Sequence, residues 1–179
     1  YVNSPVLESQ AAISCDGSEL YFASNREGGQ GGVDIWMCER LNDGRWAEPV
    51  NLGPKINTEG DEEAPFITND GNVLYFSSTG HLGMGEQDIF FTRRDENGGW
   101  DYPVNLGIPV NSSYRELGFF LSADGKTGYF SSNRKESIGG MDIYKFTLSD
   151  HLNSDPITFV EGWVKDSILG IPVPNATVH

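Results

Sequence analysis

Apolar and polar residues alternate in short runs along this chain, and each run stops at Gly, Asn, Asp or Pro. In residues 1–54, runs at 10–14 and 19–24 flank Asp16-Gly17. A hairpin turn is expected there, because glycine accepts positive φ. A glycine-rich loop covers 28–32, and a third strand is expected over 33–39. Asn42-Asp43-Gly44 makes a second turn, and 46–52 reads as an outer strand, since Pro49 cannot donate to a ladder. No stretch keeps a helical period without Gly, Pro or Asn interrupting it. Four short antiparallel strands in about 50 residues suit one blade of a β-propeller.

The pattern then repeats without a gap. Asp16-Gly17, Asp70-Gly71 and Asp124-Gly125 are each 54 residues apart, as are Tyr21-Phe22, Tyr75-Phe76 and Tyr129-Phe130. The same step relates Asp34-Ile35, Asp88-Ile89 and Asp142-Ile143, and it relates Glu8, Glu62 and Glu116. Residues 46–53 match 100–107 at six of eight positions. The expected fold class is all-β: a partial propeller of four-stranded antiparallel blades, three of them visible. Three blades do not close a ring, which takes four to eight, so the chain reads as part of a longer protein. The register fails at 154–161, and 150–156, polar with a proline, reads as a linker after a propeller segment 1–149.

These residues carry a resemblance. Ser14-Cys15-Asp16-Gly17, Leu20-Tyr21-Phe22-Ala23-Ser24 and Asp34-Ile35-Trp36 resemble the TolB-type propeller repeat. The Trp-x-x-Pro-Val-Asn-Leu-Gly segment is similar to that of PorE-like envelope proteins of the OmpA family in Bacteroidota. Val160-Glu161-Gly162-Trp163-Val164-Lys165-Asp166, with Pro172-Val173-Pro174-Asn175-Ala176-Thr177-Val178, resembles the opening strands of a carboxypeptidase-regulatory-like β-sandwich, expected over 157–179. The resemblance implies a periplasmic, outer-membrane-associated scaffold. It also implies attachment of an envelope machine, such as type IX secretion, to peptidoglycan through an OmpA-like domain outside this chain. The alternative is an enzyme-associated propeller: a glycan-binding or glycan-active face, or a peptidase gating domain, since TolB-type propellers also accompany serine peptidases.

Composition narrows the partners. Twelve Lys and Arg against 26 Asp and Glu give a net charge of −14, the wrong sign for nucleic acid or an anionic membrane surface. No run approaches the 18 or so apolar residues of a membrane span. Protein partners in the cell envelope are expected, without nucleic acid or direct membrane insertion.

Candidate chemistry is sparse. Ten positions are identical in all three copies, and a recurring residue suits architecture better than a site needing each group once. Asp34, Asp88 and Asp142 are expected to accept N–H groups from their glycine-rich loops rather than bind a metal. Asp61-Glu62-Glu63 lacks calcium-loop spacing. The glycine-rich loops lack the Gly-Lys-Ser/Thr ending of a phosphate cradle, and no Gly-x-Ser-x-Gly elbow is present. No catalytic residue, metal or cofactor is expected. Trp36, Phe90 and Tyr144 read as packing between blades, and Cys15 and Cys38 as buried free thiols on strands too far apart to bridge. What differs between copies is the loop between second and third strands. Arg26, His81, Leu82, Met84, Arg134, Lys135 and Ile138 are therefore the candidate partner-binding residues, with the expectation that Leu82, Met84 and Ile138 are exposed.

Overall fold

A computed structural model describes residues 2–122 and 125–148. Asp124, the expected linker at 150–156 and the expected sandwich strands at 157–179 lie outside the described residues. The first sheet runs β1 (Glu8–Ile13), β2 (Glu19–Ser24), β3 (Asp34–Glu39) and β4 (Val50–Asn51), in that order and antiparallel throughout. The second repeats it with β5 (Glu62–Ile67), β6 (Val73–Ser78), β7 (Asp88–Arg93) and β8 (Val104–Asn105). The third has β9 (Glu116–Leu121), β10 (Thr127–Ser132) and β11 (Asp142–Thr147). This is a partial β-propeller of three successive blades, with no helix among the described residues.

Two boundaries differ from the sequence reading. The outer strand is two residues long rather than seven, tethered further out by single bridges between Arg40 and Trp46 and between Arg94 and Trp100. Pro49 and Pro103, which lack an N–H, stand just before the two surviving pairs. Cys15 is exposed, because it sits in the turn beyond Ile13; only Cys38, on β3, is buried.

Alternation along the middle strand divides its aromatics between two faces. In the first blade Tyr21, Ala23 and Ile35 pack against Ile67, Leu74 and Phe76 of the second. In the second, Tyr75, Ile89 and Phe91 pack against Phe119, Leu121 and Phe130 of the third. Tyr21 and Tyr75 thus face the following blade, and Phe76 and Phe130 the preceding one. Tyr75 stacks on Phe119 with ring centroids 4.0 Å apart, and Tyr21 meets Trp100 edge-on at 6.2 Å. Burying each such side chain is worth about 1.5–3 kcal/mol. On the third blade the corresponding Ile143 is 79% exposed, since no described residue covers that face.

The connections between blades explain two of the repeated polar residues. Asn57 lies between β4 and β5, accepts from the Ile35 N–H at 2.8 Å and donates to the Ile35 carbonyl at 2.9 Å. Asn111 does the same for Ile89. Glu62 then takes the Thr58 N–H and hydroxyl, both at 2.7 Å, and the Ser78 hydroxyl at 2.6 Å. The connection is therefore gripped by the blade it leaves through Asn and by the blade it enters through Glu.

Each innermost strand also carries a bulge. Glu62 and Glu63 pair with Ser78 and Ser77, but the next pair is Phe66 with Tyr75, so two residues oppose Phe76. Ala64 there has φ 52°, as does Gln10 in the first blade, and Gly118 in the third has φ 69°. The Gln10 side-chain oxygen accepts the Ala64 N–H at 2.9 Å, linking the bulges of successive blades.

Candidate partner-binding face

The loops between second and third strands stand at the end of the blades where the connections run. Their shape comes from the repeated aspartates. Asp34 accepts the Gln30 N–H at 2.5 Å and the Asn51 amide at 2.8 Å. Asp88 accepts the Met84 N–H and, at 3.1 Å, the Asn105 amide, and Asp142 accepts the Ile138 N–H at 2.5 Å. Gly29 and Gly83 lie so close over these carboxylates that a Cβ at either would overlap the oxygen. The aspartates thus fold their own loops, as the repetition suggests.

Three of the seven candidates, Arg26, His81 and Arg134, turn inward, while Leu82, Met84 and Ile138 are exposed as expected. The Arg26 guanidinium lies over the rings of Phe22 and Trp36, 4.8 and 5.4 Å from their centroids, and donates to the Val2 carbonyl and to Glu8 at 2.6 and 3.0 Å. Arg134 repeats this over Phe130 and Tyr144, donating to the Val110 carbonyl and to Glu116 at 2.5 and 3.1 Å. In the second blade the equivalent position is Gly80, and His81 takes over. Its ring packs on Phe76 and Phe90, centroids 5.9 and 5.2 Å away, and its Nε2 donates to the Ile56 carbonyl at 2.8 Å. These polar side chains seal the blade edge, because a flat cation or imidazole satisfies a carbonyl while covering aromatic faces.

The other four point outward. Leu82 is 97% exposed and Ile138 is 99% exposed; Met84 and Lys135 are also exposed. Tyr114 and Met141 add apolar surface from the third blade. Leu82 and Ile138 are the two large aliphatic side chains held almost wholly clear of packing among the described residues, and both stand on this face.

Two cross-blade polar clusters escaped the sequence reading. Between the second and third blades, Gln87 donates to Glu63 at 2.9 Å, while Arg115 donates to Gln87 at 2.6 Å and to Glu63 at 3.2 Å. On the opposite face, Arg94 of the second blade donates to Glu19 of the first and, at 2.8 Å, to the Tyr21 hydroxyl. The one available signal was that positions 19, 63, 87 and 115 break the repeat. Near Arg94 the hairpin turns of the two blades frame a cleft of about 420 Å³, lined by Ser14, Cys15, Asp16, Glu19, Asp70 and Arg94 among others. The Ser14 hydroxyl, with the Ser18 N–H and hydroxyl, holds the Asp16 carboxyl down at about 2. Among the described residues no group of three or more His, Cys, Asp or Glu could hold a metal ion, and no helix is long and apolar enough to cross a membrane.

Known proteins bear on the fold. No protein-family model matches the chain, and no curated protein does. Among solved structures, TolB from Acinetobacter baumannii aligns with a TM-score of 0.58 at 16% identity, over 83% of this chain and 31% of its own length. A putative TolB from Agrobacterium tumefaciens aligns with a TM-score of 0.57 at 18% identity, over 86% of this chain and 49% of its own. An alpha-L-arabinofuranosidase from Lactobacillus brevis aligns with a TM-score of 0.50 at 16% identity, over 84% and 52%. The chain spans about a third to a half of the length of these proteins. At such identities the likeness concerns the backbone, and its content is that the three blades have the fold of TolB-type β-propellers.

Proposed function

We propose that this chain is a non-catalytic interaction module, binding a protein partner through the loops between second and third strands. The observation that carries this is the near-complete exposure of Leu82 and Ile138 on loops whose bases are fixed by Asp88 and Asp142. A rigid base lowers the ordering cost of binding, and apolar tips are what an interface core buries. The repeated polar residues fold loops and connections, Asp34 and Asp88 through one carboxylate oxygen each. The net charge of −14 favours a partner with a basic surface around an apolar recess. The repeat resemblance extends this reading to an envelope scaffold, with cell-wall attachment supplied by an OmpA-like domain elsewhere in the full protein.

The test is a double change, Leu82→Asp with Met84→Asp, and separately Ile138→Asp, in the full protein used as bait for crosslinking in envelope extracts and then for titration with the recovered partner. The melting temperature should stay nearly constant, since exposed substitutions usually cost under about 0.5 kcal/mol. Partner affinity should fall by more than about 2 kcal/mol for an interface core. Unchanged affinity in both folded variants would move the contact elsewhere. Hydrolysis of a glycan by the unmodified protein would replace this reading with a catalytic one.

A further inference from the structure

The first and third blades each leave one face open, and the residues on these two faces match. At the interface between the first two blades, Arg94 lies over Trp100, 4.6 Å from the ring centroid, and donates to the Tyr21 hydroxyl at 2.8 Å, while Trp100 meets Tyr21 edge-on. The next interface lacks this lock, because a step of 54 residues from Arg94 and Trp100 falls on Leu148 and Ser154. Both halves of the lock nevertheless recur on the open faces. One step back from Arg94, Arg40 lies over Trp46 at 5.9 Å, and among the described residues its guanidinium donates only to the Gly44 carbonyl, at 3.4 Å. Two steps on from Tyr21, the Tyr129 hydroxyl has no partner among the described residues.

The clasp on the connections is divided in the same way. Asn57 and Asn111 bind Ile35 and Ile89 of the blade that the connection leaves. Their equivalent before the first blade, Asn3, is exposed, and its side chain binds no described residue. Ile143 stands opposite Ser131 as Ile35 stands opposite Ala23, so its N–H and carbonyl point away from β10 toward the open edge. The apolar positions follow suit. Ile67 and Leu121, buried against the preceding blade, correspond to Ile13, which is 52% exposed; Ile35 and Ile89, buried against the following blade, correspond to the exposed Ile143.

We propose that these faces meet between two copies of the chain, the third blade of one packing on the first blade of the other as the first packs on the second. Asn3 then clasps Ile143, Arg40 donates to the Tyr129 hydroxyl beside Trp46, and Ile13 joins Ile143 in a shared core. A contact between two different faces is head-to-tail, and it forms a ring when its rotation closes. Three blades are half of a six-bladed ring, and propellers close with four to eight, so two copies complete it through two identical contacts. The second contact forms within an already joined pair, which raises its effective concentration. A second copy suits the faces better than a fourth blade downstream, because residues 154–161 abandon the repeat and one chain already carries both halves of the lock.

Native mass spectrometry and analytical sedimentation of the unmodified full protein should give a closed dimer. Ile13→Asp and Ile143→Asp each alter an exposed side chain on one face. Either alone places an altered face in both contacts, and dimerisation should weaken by more than about 30-fold. Misfolding could also yield monomers, so the two variants are then mixed. The intact third-blade face of one meets the intact first-blade face of the other, and 1:1 mixed dimers should appear, which misfolded chains cannot form. A monomeric unmodified protein would overturn the proposal and leave these faces to other parts of the same polypeptide. A dimer that survives both changes, a mixture that stays monomeric, or assemblies that lengthen with concentration instead of stopping at two copies would overturn it as well.

Discussion

Asn57 holds Ile35 by both of its backbone polar groups, accepting from the N–H at 2.8 Å and donating to the carbonyl at 2.9 Å. The two residues are 22 apart, on either side of the outer edge of the first blade, and both are buried. An extended strand normally satisfies such groups with another strand. Here the third strand's neighbour is only two residues long; the side-chain amide takes the Ile35 N–H alone and shares its carbonyl with the Leu52 N–H, 3.2 Å away.

Asn57→Ala should leave the buried Ile35 N–H unpaired, its carbonyl keeping only the Leu52 N–H at 3.2 Å, and cost about 1–3 kcal/mol. Asn57→Asp should be no better, because a carboxylate cannot donate to the Ile35 carbonyl. Chemical denaturation of both variants checks this; full stability in the aspartate variant would contradict it.

Phe76→Ala should cost about 3–5 kcal/mol. Its ring is fully buried, in the cluster shared by the first two blades. Any loss of partner binding in this variant should follow its unfolding and disappear at temperatures where the variant remains folded.

Glu8 and Glu62 are equivalent residues with opposite titration. Burial raises the Glu62 carboxyl above its ordinary value, against hydrogen bonds from Ser78 and Thr58 and the attraction of His81. Burial also opposes the Glu8 charge but is outweighed by hydrogen bonds from Ser4 and by Arg26, so its carboxyl is lowered. A raised carboxyl leaves the native state holding the extra proton, so stability from Glu62 falls as the pH rises from about 4.5 through its folded value. Glu8 contributes in the opposite sense, its share being lost as the pH falls through its lowered value. Melting profiles of Glu62→Gln and Glu8→Gln, each subtracted from the parent, should slope in opposite directions; slopes of one sign would refute the assignment.

Cys15 and Cys38 should separate cleanly in reactivity. Cys15 is exposed on the rim of the hairpin cleft. Cys38 is buried, and burial pushes its thiol up. A thiol reagent should modify one site in the folded protein and the second only on unfolding. Two equally fast sites would place Cys38 on a mobile edge.

The blades were legible because their signals are local. Asp-Gly turns, alternation over six residues and a fixed step need no knowledge of what lies across space. The loop candidates were half legible. Leu82 and Ile138 stand out of the fold as apolar residues among glycines suggest. Arg26 and Arg134 do not, because polarity alone cannot distinguish a solvated guanidinium from one lying over two rings. The replacement of both by His81 was hidden by a shift of one position. The Glu63–Gln87–Arg115 cluster joins residues up to 52 apart, and only the packing of neighbouring blades brings them together.

The bulge has a consequence for which side of the sheet each residue serves. Glu62 and Ile67 both face the first blade, one gripping the connection and the other lying in the shared core. They are five residues apart, an odd step that would send them to opposite sides of an unbroken strand. The left-handed residue at 64 restores the phase, and Gln10 and Gly118 do so for Glu8 with Ile13 and for Glu116 with Leu121. Deleting that single residue would leave composition and hydrophobicity almost untouched, yet it would turn the Glu62 carboxylate toward Tyr75 and the third blade. The inner strand thus behaves as two half-strands of opposite parity spliced at one residue, and the splice lets a polar clasp and an apolar core share the same surface.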